Sequence, residues 1–76
     1  MKLADIVKPG GQYEIHLTDG SVLMLVGPKA SVQLDHADDT QELLHLSTVV
    51  MSGRLKGTKA KTVVPYTAIV KVLVSG

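Results

Sequence analysis

The stretch QYEIHLTDGSVLMLV, residues 12–26, decides the fold of this chain. In its first half the apolar residues Tyr13, Ile15 and Leu17 alternate with polar ones, which is the period-two pattern of a strand with one buried face. Asp19-Gly20 follows and favours a type I′ hairpin turn, because glycine adopts the required positive φ at little steric cost. An apolar run then forms the returning strand. The stretch predicts a β-hairpin that the rest of the chain covers or extends.

The composition sets limits on the size and chemistry of the core. The 76 residues suffice for one domain, residues 1–76, and they include no cysteine, which excludes a disulfide framework and a thiolate metal site. Tryptophan and phenylalanine are absent, so Val, Leu and Ile must build the core, and the β-branched members of that set suit a sheet. A chain this short buries only about 60% of its unfolded surface. Oligomerisation is a common reinforcement of so small a core.

The hydropathy of the sequence bears on whether the protein enters a membrane or is secreted. No uninterrupted apolar run approaches the length of about 20 residues that spans a bilayer. The first residues, MKLADIVKPGG, lack the long apolar core and the cleavage site of a signal peptide. We therefore expect a soluble, cytoplasmic protein with no membrane partner.

The rest of the chain is predicted to contain one short helix and several strands. Residues 2–8 are the helix candidate, because Leu3, Ile6 and Val7 lie on one apolar stripe that stops at Pro9. Apolar patterning predicts further strands at residues 30–35, 41–52, 62–64 and 69–74, and a solvated loop at residues 53–61. Both faces of the last strand are apolar except at Lys71, so it is buried on two sides or packs against another subunit.

These elements together predict a mainly β fold. A sheet this small must curl into a barrel or cover its edges. We expect a short N-terminal helix followed by a five-stranded, strongly bent antiparallel barrel of the SH3-like kind.

Three stretches resemble the Sm/Lsm family of small β-barrels. The first is LADIVKPGGQYEIHLTDG (residues 3–20), similar to the family's helix, glycine-containing linker and first motif. The second is the spacing of the next two strands through Asp35, and the third is VVPYTAIVKVLV (residues 63–74), similar to the second motif. Ala68-Ile69 also resembles part of the "His-Ala-Ile" region of the bacterial homologue Hfq. The resemblance implies an Sm-like barrel that assembles into a homo-oligomeric ring, with RNA as the family's ligand.

The chain departs from the family pattern at the residues that usually hold a base. Leu25 stands where the family usually has glycine, and GPKASVQL (residues 27–34) has neither Asp nor Asn. Pro65-Tyr66 or Tyr66-Thr67 replaces the basic pair of the second motif. The resemblance therefore supports the barrel and the ring-forming strand pairing more than the usual RNA pocket.

A basic segment is the candidate nucleic-acid-binding site. Arg54, Lys56, Lys59 and Lys61 lie in a glycine-containing loop and would contact phosphates in a salt-dependent way. The alternative is a solvated hairpin tip whose lysines keep a sheet edge soluble. Tyr66, beside a turn, is the best-placed residue for base stacking, since Tyr13 is expected in the core.

The candidate oligomer interface lies on the predicted strands at residues 41–52 and 69–74, which are apolar on both faces. Its residues are Val49, Met51, Ile69, Val70 and Val72. Ring assembly needs a head-to-tail contact whose rotation closes. An acidic patch of Asp35, Asp38, Asp39 and Glu42 would pair with the four bases of a neighbour, or it forms part of a mixed-charge surface.

Catalysis, metal binding and cofactors find no support in the motifs. His36 and the nearby aspartates lack the spacing of a metal-ligand loop, and such residues are ordinary in turns. No sequence motif places a nucleophile or a carboxylate beside His16 or His45. We therefore expect no enzymatic activity, no bound metal and no cofactor. Two hypotheses follow. The first is a ring-forming Sm-like module that binds RNA or a protein partner, and the second is an SH3-like structural or adaptor barrel without nucleic acid.

Overall fold

The fold is mainly β and consists of two antiparallel three-stranded sheets. A computed structural model describes residues 2–26, 32–50 and 52–75 of the chain. The strands are β1 (Gln12–Leu17), β2 (Val22–Val26), β3 (Val32–Asp38), β4 (Leu43–Val49), β5 (Lys59–Pro65) and β6 (Ile69–Ser75), with a 3-10 turn at Tyr66–Ala68. The first sheet has the order β2-β1-β6 and the second has the order β3-β4-β5.

The mainly β class was predicted correctly, whereas a closed five-stranded barrel was not. Among the described residues there are six strands, and no strand pairing joins the two sheets into a continuous barrel. The sheets approach each other at β2 and β3. The predicted break after β2 and the predicted start of the third strand at residues 30–31 lie outside the described residues.

The predicted N-terminal helix is wrong. Residues 4–6 form a single turn in which the amides of Ile6 and Val7 both donate to the carbonyl of Leu3, at 2.9 and 2.8 Å. Leu3 and Val7 are buried in the core, but Ile6 is half exposed. So short a segment ahead of Pro9 cannot repay the cost of helix nucleation, and the turn serves to dock two apolar side chains.

The β1–β2 hairpin is confirmed, with Tyr13 opposite Leu25 and Ile15 opposite Leu23. Its turn differs from the predicted type I′ turn, because Gly20 has a positive φ of 89° and Asp19 does not. The Gly20 amide donates to Leu17 O (3.1 Å) and the Leu17 amide donates to Ser21 O (2.9 Å), which fits a three-residue loop with glycine in the left-handed position. The Asp19 carboxylate accepts the Ser21 amide and hydroxyl, and these bonds lower its pKa.

The second sheet differs from prediction in the limits of its strands. β4 is shorter than the predicted residues 41–52, and β5 begins at Lys59, inside the segment predicted as loop. Two bonds close the connection between them: Val50 N donates to Thr58 O (2.9 Å) and Gly57 N donates to Val50 O (2.8 Å). The loop predicted over residues 53–61 is therefore a short turn followed by the start of a strand.

The core lies between the two sheets and follows the predicted alternation. Tyr13 and Ile15 of β1 face Leu44 and Leu46 of β4, and all four are buried. Tyr13 was predicted in the core, and it is 6% exposed. The other core members are Leu3, Val7, Leu25, Leu34, Val64, Tyr66 and Ile69.

The structure also bears on membrane insertion. Across the described ranges, no helix has the length and apolar character that crossing a bilayer would require.

Candidate nucleic-acid interface

Charge is divided unevenly along the chain. All seven acidic residues precede residue 43, whereas five of the eight lysines and arginines follow it. The second half of the chain, which supplies β4, β5 and β6, therefore carries positive charge and no carboxylate side chain. Positive charge is thus concentrated in this half, although the net charge of the whole chain is only +1.

The β4–β5 pairing places the acidic β3–β4 turn and the basic β4–β5 connection at opposite ends of the second sheet. Leu43 lies opposite Pro65 at one end, beside the acidic turn at residues 38–42. Val49 lies opposite Lys59 at the other end, beside the basic connection. Seven strand residues separate the two ends, which is a distance of about 20 Å. The second sheet is thus acidic at its β3–β4 turn and basic at its β4–β5 connection.

The four predicted bases lie along one hairpin and are all exposed. Arg54 and Lys56 belong to the turn at residues 50–58, whereas Lys59 and Lys61 stand on β5. None of the four side chains forms an ion pair with a carboxylate of residues 2–26, 32–50 or 52–75. These four bases of the β4–β5 hairpin are called the basic strip below.

The basic strip borders a cleft of about 350 Å³ on the outer face of the second sheet. On β5 the cleft is lined by Lys59 and Lys61, and Lys61 lies opposite Ser47 of β4. Its remaining polar lining comes from Asp35 and His36 of β3, His45 of β4 and Thr62 of β5. Side chains from all three strands of the sheet therefore meet in one concave surface.

A stacked pair of histidines forms one side of the cleft. The rings of His36 and His45 have centroids 4.3 Å apart and planes only 11° from parallel. A register shift between Leu34 and His36 sets His36 directly opposite His45 and leaves Asp35 as the extra residue of a bulge. Sequence reasoning missed this pair, because it depends on the cross-strand register and on the bulge.

Asp35 and Ser47 form the polar floor of the cleft. The Ser47 hydroxyl donates a 2.7 Å hydrogen bond to Asp35 Oδ2, and Ser47 is 7% exposed. The bond satisfies a buried hydroxyl and holds the carboxylate over β4. Asp35, which was predicted as part of an acidic patch, thus contributes to the same cleft as the lysines.

The stacked histidines of the cleft do not have the geometry of a pair that shares one metal ion. Two imidazoles that bind one metal must aim their nitrogens at a common point, whereas stacked parallel rings do not converge. No group of three or more His, Cys, Asp or Glu side chains within the described ranges is arranged to hold a metal ion.

Tyr66 is not placed for base stacking. Its side chain is 2% exposed, and its hydroxyl donates to Asp39 Oδ1 at 2.7 Å. Burial and this hydrogen bond both raise the pKa of the phenol. A ring enclosed by the core has no free face for a base, so the proposed stacking role does not fit its position.

The predicted interface residues occupy different environments. Ile69 is buried in the core of its own subunit, Val72 packs against that core, and Val49 on the central strand β4 is half-buried. Val70 is 62% exposed, and a second register shift leaves it without a partner on β1. Met51 lies outside the described residues.

Two further apolar residues of β6 are open to solvent. Leu73 is 46% exposed and Val74 is 61% exposed. β6 pairs with β1 on one side, and no described strand pairs with its other side. Val70, Leu73 and Val74, called the β6 patch below, are exposed apolar residues of this edge strand.

Comparison with protein-family models, curated proteins and solved structures gives no match.

Proposed function

We propose that this protein is a homo-oligomeric, Sm-like binding module that holds single-stranded RNA through the basic strip. The observation that carries the proposal is the exposure of Arg54, Lys56, Lys59 and Lys61 on one hairpin, with no ion pair to a carboxylate in the part of the chain that the structure describes. Unpaired cations along an extended strand track a phosphate backbone, and counterion release supplies the binding free energy. Repetition of the strip around an assembly would add avidity.

The open strands supply a way to assemble. β5 is an outer strand of the second sheet and β6 is an outer strand of the first, and each is seven residues long. Antiparallel pairing of β5 in one subunit with β6 in the next is a head-to-tail contact, and such contacts give a ring when the rotation closes. It would also satisfy backbone groups on two open edges.

The β6 patch supports the same assembly. Val70 and Val74 are each more than 60% exposed, an unusual state for valine in so small a protein. Burying such side chains contributes about 25 cal/mol per Å² of apolar area, which is a useful gain for a marginal core. Assembly through β6 would therefore stabilise each subunit.

The chain order supports the Sm-like interpretation. The 3-10 turn at Tyr66–Ala68 leads directly from β5 into β6, and β6 returns to pair with β1. This arrangement matches the strand, tight turn and closing strand of the motif that residues 63–74 resemble.

Charge reversal tests the proposal. Lys59→Glu with Lys61→Glu should weaken binding of a dodecauridylate RNA and lower the slope of log affinity against log salt by about 1.4, since each phosphate that a lysine neutralises on a single strand adds about 0.7 to that slope. Lys2→Glu with Lys8→Glu makes the same change in net charge on exposed residues outside the strip. Equally weakened binding in both double variants would contradict a localised site.

A second function is a protein-binding adaptor without nucleic acid. The observation that favours it is the β6 patch beside an open strand edge, since extended peptides add to such edges. A wild-type protein that stays folded and retains no RNA even at low salt would support the adaptor and end the RNA proposal.

A further inference from the structure

The cleft beside the basic strip has the parts of a nucleotide site. We propose that one nucleotide of the bound strand enters it, with its base extending the His36–His45 stack and its phosphate held by Lys59 and Lys61. This inference rests on the proposed function and adds to it a recognition element for the base.

The histidine pair provides a stacking surface that the two buried tyrosines cannot. In a stacked pair, each imidazole has one face covered by the other ring and a second face on which a base can stack. His36 is exposed and His45 is half-buried, so the pair is accessible from the cleft. Histidine is among the side chains on which unpaired bases stack, and the near-parallel rings already have the geometry of a base stack.

The lysines provide the phosphate contact on the other side of the cleft. Lys59 and Lys61 are two residues apart on β5, so both side chains leave the same face of the strand about 7 Å apart. Both line the cleft together with the histidines. A base and its phosphate can therefore be held by neighbouring strands of one sheet.

Asp35 gives the site a direction. Its carboxylate lies on the β3 side, bonded to the Ser47 hydroxyl, whereas the ammonium groups lie on the β5 side. Repulsion by the carboxylate disfavours a phosphate over β3 and leaves that side to the uncharged base. The volume of about 350 Å³ lies within the usual range for small-molecule sites.

The test separates stacking from charge. Hexaadenylate RNA is compared with a hexameric abasic strand, which has the same phosphates and no bases. We expect His36→Ala to weaken hexaadenylate binding about 5- to 150-fold, the usual effect of losing one stacked base, and to leave the abasic strand unaffected. His36→Phe should retain hexaadenylate, because phenylalanine preserves a stacking face.

The controls separate this site from the proposed function. His16→Ala removes a histidine from the other sheet and should change neither affinity, whereas Lys59→Glu with Lys61→Glu should weaken both strands. Ring-proton resonances of His36 and His45 should move upfield with hexaadenylate and not with the abasic strand. Equal binding of both strands and no effect of His36→Ala would overturn the nucleotide site and leave backbone binding intact. Loss of hexaadenylate affinity in His36→Phe would also overturn the nucleotide site. Failure of the wild type to bind either strand would overturn both proposals.

Discussion

The hydroxyl of Tyr66 donates a 2.7 Å hydrogen bond to Asp39 Oδ1, joining residues 27 positions apart. The same oxygen accepts the Ala4 amide at 3.2 Å, and the Tyr66 amide donates to Glu42 O at 2.9 Å. The N-terminal turn, the β3–β4 turn and the 3-10 turn therefore meet at one carboxylate. Asp39, predicted as a surface acid available to a neighbouring subunit, instead holds together three segments of its own chain.

Tyr66→Phe should lower the free energy of unfolding by about 1 kcal/mol, because it removes one hydrogen bond and keeps the packed ring. Urea denaturation at pH 7 measures the change. A double-mutant cycle with Asp39→Asn should show coupling between the two side chains, since both remove parts of one interaction. Strictly additive effects would mean that the bond does not contribute to stability.

Stability should fall in acid in a way that depends on Asp39. The hydrogen bond from Tyr66 is the main cause that lowers the pKa of this carboxyl below its ordinary value of 3.8. A carboxyl with a lower pKa in the folded state contributes stability above the unfolded pKa and loses it as the pH falls through the folded pKa. Urea midpoints from pH 6 to pH 2 should therefore drop below about pH 4.

Asp39→Asn is the control for that pH dependence. The variant should be less stable than wild type at pH 6, and the difference should shrink as the pH falls and the wild-type carboxyl becomes protonated. Asp19 also has a lowered pKa, through its bonds from Ser21, so part of the acid loss should persist in the variant. Parallel pH profiles for the two proteins would refute this role of Asp39.

Gly11→Ala should destabilise the fold by about 1–3 kcal/mol through overpacking. A Cβ at this position would collide with the Tyr13 hydroxyl oxygen and would lie 2.5 and 2.6 Å from the ring atoms Cζ and Cε2. The ring is held in place by the Lys8 amide, which donates to its hydroxyl at 2.8 Å. Thermal and urea unfolding measure the loss. Adding Tyr13→Leu should make Gly11→Ala nearly neutral in that background, and an unchanged penalty would exclude the clash as its cause.

Val70→Lys with Leu73→Lys should separate the subunits without unfolding them, because both residues are exposed in the single chain. Sedimentation velocity should report a monomer, and the far-ultraviolet circular dichroism should match that of wild type. Ile69→Lys is the contrasting variant, since it places a charge in the core and should unfold the subunit. An unchanged assembly in the double variant would exclude β6 from the interface.

The hairpin and the core were predictable because they depend on local pattern. Alternation in β1 identified Tyr13 and Ile15 as residues of one buried face, and the structure buries both. The exposed bases were equally predictable, since lysine and arginine are seldom buried without partners. The sequence therefore predicts which strand face is buried and which charged side chains are exposed.

The remaining features depend on contacts between distant residues. Tyr66 looks available beside a turn, and only its bond to Asp39 shows why it is buried. The histidine pair requires the bulge at Asp35, and alternation alone does not reveal a bulge. The N-terminal stripe over Leu3, Ile6 and Val7 fits a helix, yet two buried side chains need only one turn. Tertiary packing overrides the local pattern in each case.

Native mass spectrometry of the nucleic-acid-free protein, before and after addition of dodecauridylate RNA, tests assembly and RNA binding most directly. The subunit mass is 8.1 kDa. We expect one closed species of several subunits that gains the mass of RNA, and conversion to monomer by Val70→Lys with Leu73→Lys. A folded wild-type monomer that gains no RNA mass at low salt would contradict both the assembly and the RNA-binding function.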